Sequence, residues 1–189
     1  MTEMKRLFVA IKIIPRQEML NTLYALKKDL QYEKINWVDE KNLHFTLKFL
    51  GKTATAEIAN ITKTLEYIVQ TTKAFDIKIE NLGIFGSRYN PRVIWAGIES
   101  SEPLLDLGEN VLNYLDEAGF KRDRQNFVPH ITLGRIKHIR DKKLLKVVID
   151  KNKAIWHQND RVDSFYLYES ILKPEGPQYK VVKAFYLKD

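Results

Sequence analysis

His44-Phe45-Thr46-Leu47 returns 86 residues later as His130-Ile131-Thr132-Leu133, each copy inside a short apolar run with the look of a β-strand. Side chains on a strand alternate between its faces, so His and Thr of each copy share one face while Phe45, Leu47, Ile131 and Leu133 share the other. Each copy thus anchors itself on its apolar side and presents an imidazole with a hydroxyl on the opposite side. Two such presentations, separated by nearly half of 189 residues, predict an internal duplication whose halves face each other across a cleft. Burying His and Thr without partners costs a few kcal/mol, so the pairs need a polar purpose.

Working outward, three segments carry the 3.6-residue period of amphipathic helices. They are Pro15 to Leu30, with Met19, Leu23, Leu26 and Leu30 on one stripe; Thr55 to Val69, with Ile58, Ile61, Leu65 and Ile68; and Leu104 to Leu115, which stops before Gly119. A shorter helix is predicted over Lys142 to Val148. The other apolar stretches read as strands: Arg6 to Ile13, Leu43 to Leu50, Phe75 to Leu82, Arg92 to Ile98, Phe127 to Arg135, Asp163 to Ser170 and Tyr179 to Tyr186. Gly83 to Pro91 looks like the loop of a long hairpin. Strict βαβ alternation and a glycine-rich phosphate loop are both missing, which excludes a doubly wound nucleotide-binding fold. Strand, helix and motif strand follow one another in both halves, Arg6 to Leu50 and Arg92 to Arg135. The expectation is an α+β fold: a single two-lobed domain over residues 1–189, with an antiparallel sheet and outer helices in each pseudo-symmetric lobe and a cleft between them.

Composition narrows the chemistry. The absence of cysteine excludes disulfides and thiolate catalysis and fits a reducing cytoplasm. The apolar run after Lys5 and Arg6 ends at Lys12, too short for a signal peptide core or a membrane span, and no membrane role is expected. The net charge is +7, and Gly119 to Lys153 holds eleven Lys or Arg against three Asp. Around the second motif that excess suits a polyanion such as RNA, though a solvated lysine-rich surface has the same composition.

Two imidazoles with separate duties can carry phosphoryl transfer: one, neutral, takes a proton from the attacking water, and the other, protonated, supplies one to the leaving oxygen. Thr46 and Thr132 are placed to hydrogen-bond phosphate oxygens, and the forked guanidinium of Arg135 is a candidate phosphate ligand. Metal binding is the competing use of paired histidines. The four in the chain, His44, His130, His138 and His157, lack a tight ligand spacing, so no metal or other cofactor is expected. A serine hydrolase is disfavoured because no Gly-x-Ser-x-Gly elbow occurs. His138 and His157 lie among charged residues and read as surface positions.

These residues resemble a known family. Arg6 to Ile11, Leu43 to Gly51, Pro91 to Trp95, His130 to Arg135, Phe165 to Ser170 and Pro174 to Tyr179 are similar, in order, to segments of the RNA 2′,3′-cyclic phosphodiesterases, also called 2′-5′ RNA ligases, of the two-histidine phosphoesterase superfamily. The resemblance implies metal-independent opening of a terminal 2′,3′-cyclic phosphate on RNA to a 2′-phosphomonoester. It implies His44 as proton donor to the 3′ oxygen, His130 as proton acceptor for water, and Thr46, Thr132 and Arg135 as phosphate ligands. The Gly83 to Asn90 segment departs from the proline-containing turn of many relatives, which leaves substrate preference open. Phe8, Phe49, Trp37 and Tyr168 are candidates for stacking a base, with core burial the plainer reading. Ligation or cleavage of 2′-5′ linkages at the same site, and a non-catalytic RNA-binding module, remain alternatives. A monomer is the default, and the residues following each motif, Lys48 and Arg135, are expected to set the two histidines apart.

Overall fold

The structure is a computed structural model that describes residues 3–87, 89–122, 127–174 and 176–189. The expectations touching Arg88, Asp123, Arg124 and Glu175 lie outside the described residues. In chain order the elements are β1 (Met4–Lys12), α1 (Gln17–Asp29), β2 (Lys34–Trp37), β3 (His44–Ala54), α2 (Ile58–Thr71), β4 (Phe75–Gly86), β5 (Pro91–Ile98), α3 (Glu102–Glu117), β6 (His130–His138), α4 (Lys142–Lys151), β7 (Trp156–Val162), β8 (Ser164–Lys173) and β9 (Gly176–Tyr186), with single 3-10 turns at Glu40–Asn42 and Thr55–Glu57.

The strands form one antiparallel sheet in the order β7-β4-β5-β6-β3-β1-β8-β9, with β2 alongside β6. Read outward from its middle, the sheet repeats itself. The motif strand β3 is followed by β1, β8 and β9 on one side, and the motif strand β6 by β5, β4 and β7 on the other. The halves meet at a single rung, Phe45 opposite Ile131. The expected α+β architecture with an antiparallel sheet in each half is what the chain adopts, and the two half-sheets are continuous through that rung.

The helices form because their apolar stripes have a face to cover. Met19, Leu23 and Leu26 of α1, Ile61, Leu65 and Ile68 of α2, and Leu104, Leu107, Val111 and Leu115 of α3 are all buried in one core. Pro103 in the first turn of α3 fits where no intrahelical N–H partner is required. The side chain of Asp141 caps α4 by accepting from the N–H groups of Lys143 and Leu144. Helix α1 contacts β7 of the opposite half, and the turn before it is tied there by Gln158, whose side chain donates to the Ile14 carbonyl and accepts from the Arg16 N–H. Helix α3 likewise contacts β3 and α2 of the first half. Helices α1 and α3 thus each reach the other half, and the core is shared.

Two strands escape the sequence reading. β2 is four residues long and alternates Lys34-Ile35-Asn36-Trp37, and β7 is Trp156-His157-Gln158-Asn159-Asp160-Arg161-Val162, with almost no apolar residue to signal it. The hairpin loop also tightens, because β4 runs on to Gly86. Phe127 lies ahead of β6 and packs against Phe45.

Candidate active site

One face of the sheet is covered by helices and the other is open. The side chains of β1 show the division: Leu7, Val9 and Ile11 join the main core, while Phe8 and Ala10 join a second cluster with Tyr168, flanked by Tyr166 and Tyr179. Across from β1, Thr46 faces Ala10 and Phe45 faces Ile11. Directly opposed residues share a face, so His44 and Thr46 stand on the open side. By the same argument His130, opposite Gly97, and Thr132, opposite Trp95, stand there with Phe45's partner Ile131 buried beneath. Extending the Phe45–Ile131 rung by one residue either way sets His44 across from Thr132 and Thr46 across from His130. Four polar side chains thereby cluster about the pseudo-two-fold axis.

Strict alternation would then send Arg135, five residues after His130, to the core face. A bulge prevents this. Ile94 pairs with Gly134 and Trp95 with Thr132, so Leu133 is an extra residue in β6. Past it the parity reverses: Gly134 turns to the core side, where a Cβ would meet Ile35 and Trp37 at 2.8 Å, and Arg135 returns to the open face. The first motif carries the same device. Val9 pairs with Lys48 and Ala10 with Thr46, leaving Leu47 extra. Lys48 is therefore on the core face, 3% exposed, with its ammonium donating to the Lys121 carbonyl. Its counterpart is Gly134, and the counterpart of Arg135 is Phe49, which lies exposed beside Phe8. Lys48 is thus not the residue that distinguishes the first histidine, a correction to the sequence expectation.

Both imidazoles are held in the same way. His44 Nδ1 lies 2.7 Å from the Asn42 carbonyl and His130 Nδ1 2.7 Å from the Val128 carbonyl, each two residues upstream. A carbonyl only accepts, so each Nδ1 carries the proton and each Nε2 is the nitrogen left to exchange one. Burial pushes both histidines below the ordinary imidazole value, the carbonyl contact opposes the shift, and the charge of Arg135 adds to it in both cases; His130 depresses His44 further. Arg135, on the same strand as His130, thus disfavours the protonated form of both rings.

The rings are braced differently. His44 contacts Phe8 at 5.2 Å and Tyr179 edge-on at 5.1 Å, and lines a cavity of about 180 Å³ with Lys12, Lys41, Asn42, Tyr166, Tyr168 and Tyr179. His130 meets Phe85 edge-on at 4.7 Å. Burial lifts the Tyr168 hydroxyl to about 12 and also raises Tyr179, so both are neutral donors beside His44. Of the proposed stacking residues, Trp37 packs against the core, whereas Phe8, Phe49 and Tyr168 sit on the open face near His44. Phe85, Tyr179 and the two carbonyls escaped the sequence reading. The carbonyls have no sequence signal, and the aromatics are indistinguishable there from core residues.

His138 is exposed as expected, but His157 is fully buried, a second correction. Its Nε2 lies 3.3 Å from the Asn81 carbonyl and its Nδ1 lacks a partner among the described residues. No group of three or more His, Asp or Glu side chains is gathered for a metal ion among the described residues, and no described helix is long and apolar enough to cross a membrane.

An antiparallel sheet folded about two His-x-Thr strands, with paired imidazoles and one guanidinium on its open face, is a phosphoesterase arrangement. The chain belongs to the 2′-5′ RNA ligase superfamily, whose family model matches residues 23–168 and so includes both motifs. It is 37% identical over 148 residues to the RNA 2′,3′-cyclic phosphodiesterase of Thermotoga maritima, covering 77% of this chain and 76% of that one. It is 34% identical over 178 residues to the enzyme of the same name from Methanocaldococcus jannaschii, covering 94% and 98%. Among solved structures, a protein of Thermus thermophilus superposes with a TM-score of 0.79 at 25% identity, covering 97% of this chain and 98% of that one. Escherichia coli LigT complexed with 3′-AMP shares the fold, with a TM-score of 0.79 at 22% identity over 99% of this chain and 100% of that one.

Proposed function

We propose that the chain, acting as a single two-lobed domain over residues 1–189, is an RNA 2′,3′-cyclic phosphodiesterase that opens a terminal cyclic phosphate to a 2′-phosphomonoester without a metal ion. The observation that carries this reading is the pair of matched motif strands, each fixing its imidazole through Nδ1 and leaving Nε2 to exchange a proton, with Arg135 acting on both rings. Family membership and the names of the relatives support it.

In this scheme the cyclic phosphate sits between the two Nε2 atoms. Neutral His130 takes a proton from water as its oxygen attacks phosphorus, and protonated His44 delivers one to the 3′ oxygen as the P–O3′ bond breaks. Thr46 and Thr132 donate to nonbridging oxygens, and Arg135 neutralises the charge that develops there. A bound phosphate also raises the affinity of His44 for its proton, countering the depression that burial and Arg135 impose in the free protein.

The test uses an RNA ending in a 2′,3′-cyclic phosphate, with product mapping in the presence of EDTA. Conversion to the 2′-phosphate is expected to persist with the chelator and to fall about a thousandfold in His44→Ala and in His130→Ala. Full activity in either variant, or loss of activity with EDTA, overturns the mechanism. Tight, salt-sensitive RNA binding with no turnover assigns the chain to RNA binding instead.

A further inference from the structure

The carbonyl that holds His44 Nδ1 belongs to Asn42, the last residue of the turn at Glu40–Asn42, and the side chain of the same residue reaches across the molecule. Asn42 Nδ2 donates to the Pro177 carbonyl at 3.1 Å, at the start of β9. Just beyond Pro177, Tyr179 meets the His44 ring edge-on at 5.1 Å and the Phe8 ring at 5.0 Å. Strand register does not account for this contact. β8 pairs with β1 from Tyr166, opposite Ala10, to Glu169, opposite Leu7, and Leu172 pairs with Pro177. A flat continuation would bring Leu172 and Pro177 level with Met4, at the far end of β1 from Lys12, the partner of His44. The bond to Asn42 therefore requires the end of the hairpin to bend over the open face toward His44. There Asn42, His44, Tyr168 and Tyr179 share the walls of the smaller cavity. The turn's other side-chain bonds, from Tyr24 to Glu40 and from the Lys41 N–H to Asp39, stay within residues 24–41. Val128, which holds His130 in the same way, has an apolar side chain and forms no such tie.

We propose that Asn42 is a positioning residue for His44: its main-chain carbonyl orients the imidazole, and its side-chain amide docks the β8–β9 hairpin so that Tyr179 closes on the same ring. The inference rests on the duty proposed above for His44, proton donation to O3′. A ring fixed at Nδ1 alone still tilts about that hydrogen bond, and a tilt carries Nε2 away from the leaving oxygen. Phe8 and Tyr179 packed against the imidazole limit the tilt. Tyr179 is carried by the hairpin, and the end of the hairpin is held by Asn42. The duties of the two histidines explain why only one needs this clamp. O3′ is fixed in the bound substrate, so the acid must be brought to it, whereas the water that meets His130 moves to find its base. Undocking would also admit water to the cavity and relieve the burial that disfavours a proton on His44.

The test compares the wild type with Asn42→Ala, Tyr179→Ala and the double variant. Alanine at 42 keeps the main-chain carbonyl and removes only the amide. Two substrates are used: cyclic-phosphate RNA, and a phosphodiester with an aryl leaving group, which needs no acid. Asn42→Ala is expected to lower kcat on the RNA about tenfold with KM nearly unchanged, and to lose no more than about twofold on the aryl ester. The aryl ester also reports the folded fraction, because its turnover depends on His130. The double variant should be no slower than the slower single variant, since both residues act through one ring. Backbone hydrogen exchange over residues 177–186 reads the docking without any reaction, and it should quicken about tenfold in Asn42→Ala. Equal losses on both substrates, multiplied losses in the double variant, or unchanged exchange overturns the inference. A wild type that turns over neither substrate fails the proposed reaction, and hydrogen exchange then still decides whether Asn42 docks the hairpin.

Discussion

The two halves of the sheet carry the same motif, the same bulge after it and the same Nδ1 contact to a carbonyl two residues back, yet they diverge at the second position beyond the bulge. There the first half has Phe49 and the second has Arg135. The surroundings diverge with it: His44 is enclosed by Phe8 and Tyr179 above a small cavity, and His130 is braced by Phe85. The repeated tetrapeptide therefore builds a symmetric frame, and the unequal duties proposed for the two imidazoles come from residues outside it.

The strongest challenge to that division is a substrate that needs no acid. Both histidine-to-alanine variants should lose about a thousandfold on cyclic-phosphate RNA, but on a phosphodiester with an aryl leaving group His44→Ala should regain most of its rate and His130→Ala should not. Equal rescue of both would mean the duties are shared.

Next in size is Arg135→Met, expected to cost about a hundredfold in kcat. It should also move the pH profile. Reaction through one neutral and one protonated imidazole gives a bell centred between their two values, and both are depressed in the free protein, so kcat/KM should peak below pH 6.5. Removing the guanidinium relieves the cationic forms of both rings, raises both values and shifts the peak upward; a downward shift would contradict the influence of Arg135 on them. Thr46→Val and Thr132→Val should each cost about tenfold, the hydroxyl of a single hydrogen bond.

Lys48 provides the contrast to Arg135. Because its side chain turns to the core and holds the Lys121 carbonyl, Lys48→Met should lower stability by about 1–3 kcal/mol in denaturant titration while leaving the rate per folded molecule nearly unchanged. The smallest effect concerns His157. Burial holds it below the usual imidazole value, so the unfolded chain takes up protons that the folded one does not. Stability is full above pH 6.5 and declines as pH falls through the depressed folded value. His157→Gln should flatten that decline in Tm measured between about pH 7 and 5.

Much of this was legible in the sequence because the decisive residues sit in regular alternation. The apolar stripes of three helices and the phase of both motifs needed only periodicity, and each stripe is buried as read save for the half-buried Ile58. What escaped were features without a periodic trace. The bulges at Leu47 and Leu133 insert a residue that no composition rule flags, and they alone decide that Arg135 faces the open side of the sheet while Lys48 does not. β7 hid because its buried side chains, apart from Val162, are His157 and Gln158, which hold the strand by hydrogen bonds to Asn81 and Ile14. Arg135 is a candidate phosphate ligand by its forked guanidinium and by the family resemblance, whereas strict alternation would have turned it to the core.

The order of strands has a further consequence for how the molecule comes into being. The half that bears His130, β4 to β7, is one unbroken stretch of chain, whereas the half that bears His44 is assembled from both ends, β1 and β3 at the start and β8 and β9 at the finish. On the ribosome the His130 half can therefore close while β1 still lacks its neighbour, and the His44 half waits for residues 164–186 to emerge. Enzymatic competence should arrive late in synthesis, with the last hairpin.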